Sequence, residues 1–399
     1  MNVKDRFLRY VRVETTSCET NASCPSSDGQ WTLARMLADE LKAMGVADAK
    51  VDDNCYVTAH IPAKGGKKTR LGLIAHMDTS SGVIGPTHPQ IIPDYDGGPI
   101  TLQNGVVIDG FSFLPSLKGQ ELIVTDGTSV LGADDKAGVA EIMQLAQMLT
   151  APDAPDHCAV CIGFTPDEEI GRGADLFDVA GFAADYAYTV DGGALGELEY
   201  ENFNAASCRI TVRGVNIHPG SAKNQMKNAA LIAMEWNSLL PPAEIPAHTE
   251  GYEGFYHLCG MKGDEESAEL IYIIRDHDAA KFAGRIATAE RITAFLNARY
   301  GEGTVTCEIR ESYRNMRELM EEHMEIIDRA RAAFEACGVE PIIQPIRGGT
   351  DGARLTYMGL PCPNLSTGGY NFHGRKELIP VPAMERMVDV LKQLVCEAD

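Results

Sequence analysis

Three short apolar runs in the first half of the chain end in the same way. Leu71-Gly-Leu-Ile-Ala closes on His76 and Asp78, Ala159 to Phe164 on Thr165-Pro-Asp-Glu-Glu169, and Ala187 to Val190 on Asp191-Gly-Gly193. Apolar runs this short, without alternation, read as strands buried on both faces that deliver polar groups at their tips. A further polar stretch, Gly132-Ala-Asp-Asp-Lys-Ala-Gly138, opens a helix-period run of Val139, Ile142, Met143, Ala146 and Leu149. Strand, polar tip and helix in repetition predict an α/β domain whose largely parallel sheet is flanked by helices. In such sheets ligands gather outside the carboxyl ends of the strands, where these clusters lie.

A chain of 399 residues exceeds one ordinary core, so two domains are expected. The pattern changes after Asn204. Ser207 to Val212 reads as a strand, and Ala229 to Leu240 as a helix stopped by Pro241-Pro242. Phe255 to Met261 and Leu270 to Arg275 read as strands around the acidic turn Gly263-Asp-Glu-Glu266. A second helix carries Phe282, Ile286, Ile292 and Leu296, and Thr304 to Ile309 closes the series. The order β-α-β-β-α-β is the split ferredoxin-like unit. It predicts a domain at 205–314 inserted between two parts of the first domain, 1–204 and 315–399. Residues 82–120, rich in Gly, Pro and Asp, predict a long irregular insertion beside a strand tip. Ser27-Asp-Gly-Gln30 predicts a capping box ahead of a helix bearing Leu33, Leu37, Leu41 and Met44.

A net charge of −22 argues against nucleic acid, which requires a basic face. Lys4, Asp5, Arg6 and Arg9 leave no apolar signal core in the first ten residues. No run approaches the roughly 18 apolar residues needed to span a bilayer. Eleven scattered cysteines suit reduced thiols and predict a cytoplasmic protein; the lone Cys158-Ala-Val-Cys161 reads as packing.

The strand-tip residues gain their meaning together. A lone Asp is usually a helix cap, and a lone His at a strand end is usually a packing residue. His76, Asp78, Asp134, Asp135, Glu168, Glu169 and Asp191, with His373 from the loop Thr367-Gly-Gly-Tyr-Asn-Phe-His373, form a mixed N/O set. That set suits zinc, cobalt or manganese, and its lack of cysteine favours a catalytic over a structural site. The number of donors suggests two metals sharing a bridging carboxylate, which can lower the pKa of a common water. Such a site also needs a general base. On extended chain the neighbours Glu168 and Glu169 would point to opposite sides, so one can bind metal while the other faces the water. Residues two apart share a face, and Asp78 can take the second N–H of His76 to fix its tautomer.

Six motifs carry a resemblance: His76-Met-Asp-Thr, Gly132-Ala-Asp-Asp-Lys-Ala-Gly, Thr165-Pro-Asp-Glu-Glu, Thr189-Val-Asp-Gly-Gly, Asn216-Ile-His-Pro-Gly and Gly368-Gly-Tyr-Asn-Phe-His-Gly. In this order they resemble the co-catalytic dinuclear zinc peptidase family that includes glutamate carboxypeptidase and succinyl-diaminopimelate desuccinylase. The match runs from near Phe7 to the C-terminal helix. Asn202-Phe-Asn-Ala, Thr249-Glu-Gly-Tyr-Glu-Gly-Phe-Tyr-His and Arg347-Gly-Gly-Thr-Asp-Gly resemble the tripeptide aminopeptidases of that family in particular. The resemblance implies two zinc ions per subunit, with cobalt or manganese as substitutes. His76 and Asp191 would bind one ion and Glu169 and His373 the other, with Asp134 as the bridge. Glu168 would be the base and Asp78 the residue orienting His76. His218 would reach the oxyanion when the inserted domain closes as a lid, and Arg275 and Arg347 would hold the peptide carboxylate or line the cleft. The implied partners are small peptides, and the implied assembly a monomer or homodimer. A carboxypeptidase, dipeptidase or N-acyl amino acid deacylase would share the metal motifs. A non-catalytic binding paralogue should have lost Glu168 or a ligand, and none is missing.

Overall fold

The apolar runs satisfy their backbone groups by pairing with one another. In the computed structural model, which describes all 399 residues, they form an eight-stranded sheet. Its order is Lys50–Val51, Val57–Ile61, Ala159–Thr165, Arg70–His76, Tyr186–Gly192, Asn364–Ser366, Glu197–Glu199, Ile342–Ile343. Arg70–His76 lies parallel between Ala159–Thr165 and Tyr186–Gly192, with His76 opposite Thr165. Asn364–Ser366 extends the parallel centre, and Val57–Ile61 joins it antiparallel. Parallel neighbours cannot be joined by a tight turn and need a crossover. The helix Ala133–Leu149, buried along nearly its whole length, lies in the connection between Arg70–His76 and Ala159–Thr165. The carboxyl ends of the central strands therefore share one edge, where His76, Glu168, Glu169 and Asp191 emerge.

The chain folds as two compact units. The first comprises Met1–Tyr200, Glu318–Gln344 and Thr350–Asp399. The second comprises Glu201–Arg317 together with Pro345–Gly349, a short return that periodicity alone assigns to the first domain. A bridge between Asn202 and Ile346 attaches it there. The second unit is a four-stranded antiparallel sheet in the order Phe255–Gly263, Ser267–Asp276, Asn204–Arg213, Val305–Tyr313. Strict alternation of burial along Ser267–Asp276 turns Leu270 and Ile274 into a core with Ile210, Trp236 and Leu296. The indole N–H of Trp236 donates to Thr293 Oγ1 at 3.1 Å, so this large side chain is buried without an orphaned donor.

Two local expectations change. Ser27 makes no side-chain cap on the helix Asp28–Ala43; Gln30 instead donates to Asp167 Oδ1 at 2.7 Å and to Ser27 Oγ at 3.1 Å. The 82–120 insertion is ordered by its own core. Its strand Gln90–Ile92 pairs with Leu122–Val124, which pairs in turn with Leu378–Pro380. Tyr95, Ile100, Leu102, Ile108, Leu114 and Leu117 pack beneath that sheet, and Phe113 stacks on Tyr370 with ring centroids 4.2 Å apart. No helix is long and apolar enough to cross a membrane.

Close approach of the Ala133–Leu149 helix to the sheet depends on Gly138, where a Cβ would overlap the Val190 carbonyl oxygen and stand 2.5 Å from Asp135 Oδ1. Gly138→Ala is expected to cost about 1–3 kcal/mol through overpacking, measured by chemical denaturation of metal-free protein. An unchanged midpoint would show that the helix has room to move.

Candidate active site

His76 ends its strand, and the sheet register holds its backbone. Its side chain is 2% exposed, and its Nε2 lies 2.8 Å from Asp134 Oδ1 and 3.4 Å from Asp191 Oδ1. The other oxygen of the same carboxylate, Asp134 Oδ2, lies 3.0 Å from His373 Nε2. That imidazole also stands 3.0 Å from Glu169 Oε2. The result is two triads, His76–Asp134–Asp191 and Asp134–Glu169–His373, each with its donor atoms within 4.8 Å of one another. Asp134 belongs to both, one oxygen to each.

The neighbouring aspartates part company because the backbone is not helical there. Gly132 takes a left-handed φ of +79°, and Asp134 and Asp135 have φ/ψ of −85°/103° and −124°/33°. Asp135 is fully buried and accepts the backbone N–H of His76 at 3.1 Å and of Gly138 at 3.2 Å. It locks the helix start to the strand tip. Lys136 donates to the Val13 carbonyl at 2.7 Å.

Glu168 and Glu169 occupy a short 3₁₀ turn, Glu168–Ile170, instead of the extended chain expected from sequence. Three residues per turn still separates neighbouring side chains by about 120°, so the two carboxylates diverge. Asp78 sets this turn. Its carboxylate accepts the backbone N–H of Glu168 at 3.0 Å and of Glu169 at 3.2 Å. His76 Nδ1 lies 3.1 Å from the Asp78 carbonyl oxygen and 3.3 Å from its Oδ1. Asp78 thus positions both the imidazole and the glutamate pair.

Burial tends to neutralise carboxylates, and here it pushes Glu169 up to about 7 and Asp191 up to about 6. Glu168 is also held well above the ordinary range, by burial first and then by the charge of Asp191. Asp134 goes the other way: hydrogen bonds from His373 and His76 outweigh its burial and hold it below the usual carboxylate range. Hydrogen bonds to Asp134 and Glu169 lift His373 to about 11. Burial opposes protonation of His76, yet Asp191 and the hydrogen bond to Asp134 raise it well above the ordinary value. Two imidazoles gathered around a persistent carboxylate anion, with further carboxylates beside each, are a donor set for a pair of divalent cations. Glu169 Oε1 is buried without a hydrogen-bond partner, and an additional donor atom of this kind fits such a role.

Three acidic residues support the site without a role assigned from the sequence, two of them inside the motifs of the resemblance and one, Glu377, outside them. Asp167 accepts the Ser26 N–H at 2.8 Å, the Ser26 hydroxyl at 2.5 Å and the Gln30 amide, anchoring the turn ahead of Glu168. Asp351 accepts the Thr165 hydroxyl at 2.8 Å and is pushed up to about 7 by burial; its motif draws attention to Arg347 instead. Glu377 accepts four successive backbone amides, from Leu131 to Asp134. Only its position four residues after His373 could signal it.

His218, Arg275 and Arg347 belong to the second unit. His218 is exposed, and its Nδ1 accepts the Gly220 N–H at 3.2 Å. Arg275 lies over the Tyr313 ring at 5.1 Å. Arg347 donates to the carbonyls of Gly251 and Glu253 and to Thr249, and lies over Phe203 and Phe255. Both of its terminal nitrogens are thereby engaged within the unit, which weighs against a free arm for a peptide carboxylate.

Comparison with known proteins gives this geometry its setting. The family model of peptidase family M20/M25/M40 matches residues 131–397. Peptidase T of Halothermothrix orenii is 52% identical over 400 aligned residues, which span 98% of this chain and 98% of that protein. The crystal structure of aminopeptidase PepT from Bacillus cereus shares the fold with a TM-score of 0.78 at 21% identity, over 100% of this chain and 98% of that one. The Bacillus subtilis YXEP protein, a dinuclear metal-binding peptidase of the M20 family, shares it with a TM-score of 0.65 at 14% identity, over 99% of this chain and 97% of that one. With a family match over two-thirds of its length and half its residues shared with a full-length relative, the chain belongs to peptidase family M20/M25/M40, a family of peptide hydrolases.

Proposed function

We propose that the chain is a cytoplasmic tripeptide aminopeptidase that holds two zinc ions per subunit and releases the N-terminal residue of its substrate. The observation that carries the metal part is the division of the Asp134 carboxylate, one oxygen beside His76 and the other beside His373. Identity to peptidase T along the whole chain supports the substrate class. In this reading His76 and Asp191 would hold one ion and Glu169 and His373 the other, with Asp134 serving both. Bound there, the pair would supply Lewis acidity and lower the pKa of a water, and cobalt or manganese suits the same donors.

The protein's own part is proton transfer and placement. Glu168 accepts a proton from the attacking water and returns it to the leaving amine. Without metal, burial and the charge of Asp191 raise its proton affinity. Asp78 keeps Glu168 in place through the backbone N–H bond at 3.0 Å, and Asp135 fixes the His76 backbone. His218, Arg275 and Arg347 remain proposed substrate-binding residues of the second unit, with Arg347 the weakest of the three. Small peptides are the proposed partners, and membranes and nucleic acid are not.

Free alanine released from di-, tri- and tetra-alanine by zinc- or cobalt-loaded protein tests the substrate assignment. Release from tri-alanine above the other lengths, and none from N-acetyl-tri-alanine, is expected. Hydrolysis of the blocked peptide would keep the metal site but replace the aminopeptidase by a carboxypeptidase or deacylase. Glu168→Ala should lower turnover by about 10²–10⁴-fold while metal content, measured by elemental analysis, stays at the unsubstituted level. Near-normal turnover would remove Glu168 as the base.

A further inference from the structure

We propose that Glu377 is a positioning residue that sets the distance between Asp134 and His373, and so tunes metal affinity at the Asp134–Glu169–His373 position. The inference rests on the two-metal reading above.

Glu377 is 1% exposed. Its Oε2 accepts the N–H groups of Leu131 at 2.7 Å and Gly132 at 3.0 Å, and its Oε1 those of Ala133 at 2.6 Å and Asp134 at 3.2 Å. Successive amides converging on one anion form a nest, and amides at a helix start have no intrahelical partner. An ordinary cap would come from a residue next to the helix. This carboxylate comes from 243 to 246 positions away, so it joins two segments of chain instead of finishing one.

The second segment is the loop that carries His373. Tyr370 and Leu378 exchange backbone hydrogen bonds at 2.9 and 3.1 Å and close it, and Asn371 Nδ2 donates to the Lys376 carbonyl at 3.2 Å. Glu377 sits at the base of that loop. One end of the loop is thus bonded to the backbone of Asp134, and its far side places His373 Nε2 3.0 Å from the Asp134 carboxylate. His76 is held independently by the sheet register and by Asp135, so its position feels Glu377 only through the shared Asp134. The other position depends on Glu377 twice, through Asp134 and through the loop of His373, and loss of Glu377 should therefore fall mainly there.

Cobalt titration of the metal-free full chain, followed by visible d–d absorption and calorimetry, tests this on unsubstituted protein and on Glu377→Gln. The amide of Gln turns N–H groups toward donors that need an acceptor. The expected result is one equivalent weakened about 10–100-fold, in the range seen when groups behind a metal ligand are lost. The other equivalent should stay within about threefold, and the far-UV circular dichroism should be native. Two equivalents bound as tightly as by unsubstituted protein would overturn the proposal. So would equal weakening of both, which would show Glu377 acting through the shared Asp134 or the fold and not on the His373 position. If Glu377→Gln does not fold, Glu377→Asp, which keeps the charge on a shorter stem, is titrated and judged by the same two criteria. Unsubstituted protein that binds a single equivalent would instead sink the two-metal reading, and this inference with it.

Discussion

Everything at this site turns on the Asp134 carboxylate lying between two imidazoles. A carboxylate can serve two partners at once only if each oxygen has its own direction, and here one faces His76 and the other His373. The two histidines reach it from unrelated parts of the chain, a central strand and a loop near the C-terminus. The parallel sheet, the crossover helix and the C-terminal loop must all be in place before that one anion has both neighbours.

Gathering several acids in one buried cluster is unfavourable unless positive charge or backbone donors compensate. The chain divides its acids accordingly. Asp135, Asp78 and Glu377 are satisfied by backbone amides and act as fasteners. Glu169 and Asp191 have fewer backbone donors and stand instead beside the imidazoles of His373 and His76; such groups gain most from a cation. Hydrogen bonds to charged groups are worth about 1.5–3 kcal/mol each, so the fasteners supply the rigidity on which the other acids depend.

The sequence is legible where structure is local. Apolar runs ending in His or acid mark the central strands and the side of the sheet on which chemistry occurs, and alternation marks the second unit's sheet. Spacing alone does not tell Asp134 from Asp135, because their difference lies in two non-helical residues at the helix start; the resemblance makes that choice. Burial and partners of Glu377 and Asp351 come from residues far away in sequence, and no periodicity encodes them. The 82–120 insertion looks irregular for a similar reason. Its sheet is completed by Leu378–Pro380, which no local pattern connects to it. Arg347 looks like a binding residue because its contacts with Thr249, Gly251 and Glu253 are likewise distant.

The first unit is assembled from three separate stretches of chain, whereas the second is nearly continuous. During synthesis, at about 5–20 residues per second, the strand Leu122–Val124 must wait on the order of tens of seconds for its neighbour Leu378–Pro380. The four strands of the second unit all emerge in the meantime. The first unit therefore closes only after the second unit's strands are made, once His373, Glu377 and the helix Val381–Glu397 have emerged. A nascent chain that has not yet released that stretch holds His76, Asp134, Glu169 and Asp191 but not His373, so the Asp134–Glu169–His373 group is the later of the two to be assembled.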